Sequence, residues 1–185
     1  PIADWFLGDD FHHNGAFFLI DGFNFFRSFG KPRQQHTTDW PRGFEHYTPD
    51  GYRFFLKAGS LASLKKKYFG DTITFWNDLF AHPNYDEFWK SRSVPQHLKN
   101  VTPAVMTVGG WFDAEDLYGP LHIYSAIEKH NPRTYNILVM GPWFHGGWAR
   151  SKGERVGNVN FEVQTIPFYQ EKIELPFFNY YLKGK

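Results

Sequence analysis

Two short apolar runs constrain this chain more than anything else in it. Ala104–Val108 and Asn136–Met140 are too short and too evenly apolar to be amphipathic helices, and they read as buried strands, covered on both faces. Between them, Leu117–His130 reads as a helix with Leu121, Tyr124, Ala126 and Ile127 as packing residues, ended by Asn131-Pro132. Strand, helix and strand over roughly forty residues predict a βαβ unit with a parallel strand pair. Both strands run into glycine and then deliver one acid–base residue. The first continues as Val105-Met-Thr-Val-Gly-Gly-Trp-Phe-Asp-Ala-Glu-Asp116, and the second as Leu138-Val-Met-Gly-Pro-Trp-Phe-His145. Ligands of open α/β sheets sit at the carboxyl ends of the strands, and a right-handed crossover brings both ends to one edge. Asp113 and His145 are therefore expected at one site.

The chain before Val101 has a different character. Aromatic residues crowd Ala16–Phe29, where Phe18, Phe25, Phe26 and Phe29 can share a helical face, with Gly30-Lys-Pro32 as the stop. Residues 31–51 lack apolar periodicity and read as a loop. Tyr52–Lys67 suits one amphipathic helix, 71–80 a second, and 82–90 a short third after a turn. Past the strand pair, Val156–Phe161 reads as a short strand. Thr165–Leu182 reads as a final helix, broken or kinked near Pro176. The expected division is a helical region over residues 1–100 and a βαβ with a final helix over 101–185.

Composition removes several function classes. A net charge of +1 gives no footprint for nucleic acid or an anionic membrane. Lys65-Lys-Lys67 is the one basic run and reads as the solvated end of a helix. With no cysteine, thiol nucleophiles and thiolate metal sites are out. No apolar run reaches the roughly 18 residues a membrane span needs, and no signal peptide is evident. The chain opens on Pro1-Ile-Ala rather than methionine, so an earlier start of the gene is expected. Aromatic residues make up 21 % of the chain, which suits either a ring-packed core or an aromatic pocket.

The chemistry of the two strand ends follows from their residue types. A histidine with an ordinary pKa near 6.5 can take a hydroxyl proton and return it to a leaving group. A carboxylate on its other ring nitrogen fixes the tautomer and stabilises the imidazolium. The order Asp113 then His145 after late strands is that of α/β-hydrolases, whose serine comes earlier. The plainer reading makes Asp113 a cap for the following helix, Glu115 and Asp116 its N-terminal charge, and His145 a loop residue. No Gly-x-Ser-x-Gly occurs, and none of the serines at 28, 60, 63, 91, 93, 125 and 151 lies on a strand–turn–helix elbow. The nucleophile is expected upstream of this chain, and two triad members without it form no acyl-enzyme, so the 185 residues alone are expected to be inactive.

Three stretches carry a family resemblance: Asp4-Trp-Phe-Leu-Gly-Asp-Asp-Phe-His-His-Asn-Gly-Ala-Phe17, Gly109-Gly-Trp-Phe-Asp-Ala-Glu-Asp-Leu-Tyr-Gly119 and Met140-Gly-Pro-Trp-Phe-His-Gly-Gly147. Together, and in that order, they resemble the α-amino acid ester hydrolases, grouped with cocaine-esterase-like acyl esterases and X-prolyl dipeptidyl peptidases. The resemblance implies part of an α/β-hydrolase fold: a helical cap plus the last parallel strands and helices of the core. The nucleophile elbow and oxyanion hole would lie upstream and a jelly roll downstream. It implies Asp113 and His145 as triad members, and Asp10, Glu115 and Asp116 as an acidic cluster for an α-ammonium group. Trp5, Trp111 and Trp143 either wall an acyl pocket or pack. The substrate implied is a small ester or amide, with no cofactor and no metal. Export to the periplasm or outside the cell is the expected compartment, and homo-oligomerisation is left open.

The alternatives are an X-prolyl dipeptidyl peptidase, which also recognises a free amine, and a general acyl esterase. A metal site from Asp9, Asp10, His12 and His13 is a reading from another class, with poor geometry for four ligands drawn from five positions.

Overall fold

The structure is a computed structural model that describes residues 1–28, 33, 35–39 and 43–185. The chain forms two compact units, Pro1–Gly15 with Arg92–Lys185, and Ala16–Ser91. The units divide the chain differently from a boundary at residue 100, because the first fifteen residues pack with the C-terminal part. Strand β1 (His12–His13) lies in the first unit, and β2 (Ala16–Phe17) opens the second.

The second unit is helical: α1 (Leu19–Ser28), α2 (Gly51–Ala58), α3 (Leu61–Leu64), α4 (Thr74–Ala81) and α5 (Glu87–Lys90). Phe23 and Trp76 are fully buried at its centre. Phe23 meets Phe55 at 5.3 Å and Phe69 at 5.2 Å, and Trp76 meets Phe69 at 4.4 Å and Phe80 at 4.9 Å. Burying rings of this size contributes about 1.5–3 kcal/mol each. The aromatic face of α1 differs from the sequence expectation: Phe23 and Phe26 are buried, while Phe25 is exposed. Phe29 and the stop at residues 30–32 lie outside the described residues.

The single helix expected over 52–67 is two helices. Gly59 has a φ of +87°, outside the helical region, and the Ser60 hydroxyl accepts the Ser63 N–H at 3.3 Å to start α3 afresh. Asp50 caps α2 in the same way through the Arg53 N–H at 3.0 Å. Lys65–Phe69 closes α3 as a π-turn, with Lys66 and Lys67 exposed.

The first unit carries β3 (Val105–Gly110), α6 (Tyr118–His130), β4 (Asn136–Gly141), α7 (Gly147–Arg150), β5 (Arg155–Val156), β6 (Val159–Asn160), α8 (Thr165–Tyr169) and α9 (Leu175–Lys183). β3 and β4 are parallel and in register from Val105 opposite Asn136 to Gly110 opposite Gly141, the βαβ expected from sequence. The strands are less buried than expected, since only Thr107, Gly109, Gly110 and Gly141 are buried along them. The reason is that each strand pairs only with the other among the described residues. Trp143, Ile166 and Tyr169 form the buried cluster that packs on Val108 and Val139. Asn131 ends α6 and donates from its amide to the Leu98 and Ile127 carbonyls, while its side-chain oxygen accepts the Val101 N–H at 2.8 Å.

Two further differences from the sequence reading have local causes. In place of one strand over Val156–Phe161, β5 and β6 form a hairpin over Arg155–Asn160, turned at Gly157 with a φ of +55°. The C-terminal helix does break near Pro176, through a π-turn over Gln170–Glu174. Proline donates no N–H and crowds the carbonyl four residues back, Lys172, so the ladder widens just there.

Candidate functional site

The register of the strand pair brings two loops off one edge. Gly110 and Gly141 end the strands opposite each other, and both must be glycine for the loops to cross. A Cβ on Gly110 would lie 2.1 Å from the Trp143 carbonyl oxygen, and one on Gly141 2.3 Å from the Trp143 ring. The Trp111 N–H donates to the Gly141 carbonyl at 2.9 Å, and the Phe112 N–H to the Trp143 carbonyl at 3.1 Å. These main-chain bonds hold the loops together from inside.

Asp113 and His145 meet at the result. The His145 Nδ1 lies 3.3 and 3.2 Å from the two carboxylate oxygens of Asp113. The Asp113 side chain is 2 % exposed and that of His145 43 %, so the carboxylate is inside and the imidazole faces outward. Asp113 Oδ1 also accepts the Glu115 and Asp116 N–H groups at 3.0 and 2.9 Å. It therefore caps the turn before α6, while the first turn of α6 itself carries no acidic residue. The plain reading of Glu115 and Asp116 as first-turn helix charge does not describe their position.

All three other carboxylates singled out by sequence gather here. Glu115 and Asp116 lie 3.6 and 3.8 Å from the same Nδ1. The Asp10 N–H donates to the Glu115 carbonyl at 3.3 Å, and Asp10 is held at a φ of +49°. Burial pushes the Asp10 carboxyl up to about 8, helped by the charge of Asp116 and by hydrogen bonding with Glu115. Burial and the charge of Asp9 push Asp116 up to about 6, against the pull of His145. Asp116 Oδ1 is buried without a hydrogen-bond partner. An orphan acceptor of this kind costs about 1–3 kcal/mol unless something binds it.

Other sequence candidates land elsewhere. Asp9 accepts three main-chain N–H groups, from Ala3, Asp4 and Gly119, and His12 Nδ1 lies 3.3 Å from the Trp5 carbonyl. Asp9 and His12 are thus engaged by the main chain, and among the described residues no group of three or more His, Cys, Asp or Glu is placed to hold a metal ion. Trp143 is a core ring whose Nε1 donates to Thr165 at 2.9 Å, so it does not wall a pocket. Trp111 is exposed, and Trp5 tilts against Phe11 at 5.8 Å. Sequence reasoning gave Asp9 no place at this site. Its partners are main-chain N–H groups, one of them Gly119 in the first turn of α6, so no side-chain motif marks it.

The model of the X-Pro dipeptidyl-peptidase family (S15 family) matches residues 1–147. An α-amino acid ester hydrolase labelled with selenomethionine superposes with a TM-score of 0.84 at 32 % identity, covering 98 % of this chain and 29 % of that one. An aminopeptidase from a marine sediment archaeon (Thaumarchaeota) superposes with a TM-score of 0.84 at 30 % identity, covering 99 % of this chain and 30 % of that one. No curated protein matches closely enough to count as a relative. The chain belongs to the S15 family of X-Pro dipeptidyl-peptidases, and its helices and parallel strand pair fit part of an α/β-hydrolase-like fold. It spans less than a third of the length of those two solved proteins. Among the described residues no helix is long and apolar enough to cross a membrane.

Proposed function

We propose that these residues are part of a serine hydrolase that cleaves esters or amides of α-amino acyl groups, with the serine supplied from outside the 185 residues. His145 Nε2 takes the proton of the serine hydroxyl as its oxygen attacks the acyl carbon. The same nitrogen returns that proton to the departing alcohol or amine, and then activates water to hydrolyse the acyl-enzyme. Asp113 orients the imidazole and stabilises its charged form through Nδ1. Asp10, Glu115 and Asp116 receive the α-ammonium group of the substrate.

One observation carries the ammonium assignment: Asp116 Oδ1, buried and unpartnered, in a ring of carboxylates beside His145. A cationic donor is the partner such an oxygen lacks. At about 4 Å and an effective dielectric of 20, each carboxylate that is ionised attracts an ammonium by about 4 kcal/mol before desolvation is subtracted.

The same site would serve a dipeptidyl peptidase that binds a free amino terminus, and the family match and the similarity to the archaeal aminopeptidase favour that second reading. The test is turnover of an α-amino ester and of an X-Pro amide by the gene's full-length product and its His145→Ala variant. Loss of whichever activity is found supports the assignment, and its survival in His145→Ala sinks it. The 185 residues alone should turn over neither substrate.

A further inference from the structure

We infer that Asp9 is a positioning residue for the ammonium-binding carboxylates: it ties the Asp10 turn to the first turn of α6 and so sets Asp10 against Glu115 and Asp116. The inference rests on the reading of that cluster given above. Asp9 is fully buried. Its Oδ2 accepts the Ala3 and Asp4 N–H groups at 2.7 and 2.9 Å, and its Oδ1 accepts the Gly119 N–H at 2.8 Å, from 110 residues away. One carboxylate thus holds the N-terminal turn and caps a helix that has no capping side chain of its own.

The turn it holds is closed on itself. Asp4 Oδ1 accepts the Phe6 and Leu7 N–H groups, and the Asp4 carbonyl accepts those of Gly8 and Asp9. The next residue, Asp10, takes a left-handed conformation and donates its N–H to the Glu115 carbonyl. That conformation is uncommon outside glycine, asparagine and aspartate, and the bond to Glu115 fixes it here. The approach to α6 requires glycine as well: a Cβ on Gly119 would lie 1.6 Å from the Pro1 carbonyl oxygen and 3.2 Å from Asp9 Oδ1. No residue at the mouth of the site need touch Asp9 for it to matter. It acts from behind, through geometry and through its charge on Asp116, whose other titratable neighbours are Asp10, Glu115, Asp113 and His145.

The test uses Asp9→Asn and the smaller Asp9→Ser in the full-length product, with two matched esters that differ only in an α-amino group. Expected is about a tenfold fall in the ratio of kcat/KM for the amino ester over its partner, carried by KM, with kcat for the partner kept. The pH midpoint for amino-ester KM should move lower than in the wild type as the charge behind Asp116 is lost. Equal losses on both esters, or loss of the fold in both variants, overturn the inference and leave Asp9 purely structural. If Asp116→Asn abolishes the amino preference while the Asp9 variants keep both ratio and midpoint, the inference falls alone. If the wild type shows no amino preference, the cluster reading falls and takes this one with it.

Discussion

The two units of this chain are built from different interactions. Among the described residues, every polar or charged residue that is buried as a whole belongs to the first unit: Asp4, Asp9, His12, Thr107, Asp113, Asp116 and Asn131. The buried side chains of the second are Phe23, Phe26, Phe55, Ala58, Leu64, Phe69, Ile73, Trp76, Leu79 and Trp89, all apolar in their bulk. Ring packing is non-directional and tolerates exchange of like volumes. A buried carboxylate is tolerated only with its donors in place, and so fixes geometry to a fraction of an ångström. The first unit accepts that cost around Asp9 and Asp113, and the candidate chemistry sits where it does so.

The largest effect expected of this contrast is at Asp113 and His145. His145→Ala or Asp113→Asn in the full-length product should lower kcat about 10⁴-fold with little change in stability, read by steady-state kinetics and thermal melting together. Next comes Trp76→Ala in the second unit, which empties the centre of the ring cluster. It should cost about 3–5 kcal/mol, measured by denaturant unfolding. A loss below about 1 kcal/mol would mean that the rings are not a packed core.

A smaller effect is expected at Asp10. Its folded carboxyl is raised to about 8 from an ordinary value of 3.8, so the folded state holds a proton that the unfolded state releases. Its contribution to stability is therefore complete below about pH 4 and lost as pH rises through 8. Asp10→Asn should flatten that decline, raising the melting temperature by a few degrees at pH 8 and by nothing at pH 4. A uniform shift at both pH values would remove the buried-proton explanation. Smallest is Ser60→Ala, which removes the cap of α3 and should cost about 1 kcal/mol in the same unfolding assay.

The βαβ, the glycines that end its strands and the convergence of Asp113 with His145 were legible in sequence, because local periodicity and strand-end geometry decide them. The acidic residues were legible from motif resemblance. What escaped was decided by partners with no sequence signature. Asp9 bonds only main-chain N–H groups, one of them 110 residues distant. The aromatic face of α1 was ambiguous because phenylalanines at 18, 23, 25 and 26 offer two overlapping stripes, and only the packing against Phe55 and Phe69 selects Phe23. The break at Gly59 was hidden by apolar spacing that continues across it, although the glycine and the capping serine were both in view.

The most direct measurement compares two esters, identical except that one carries an α-amino group, in the full-length product and in Asp116→Asn. If the buried orphan oxygen is the seat of the ammonium, the wild type prefers the amino ester and Asp116→Asn reduces that preference about 10- to 100-fold through KM, leaving the other ester untouched. Equal turnover of the two esters in the wild type, or a preference unchanged in Asp116→Asn, would contradict it.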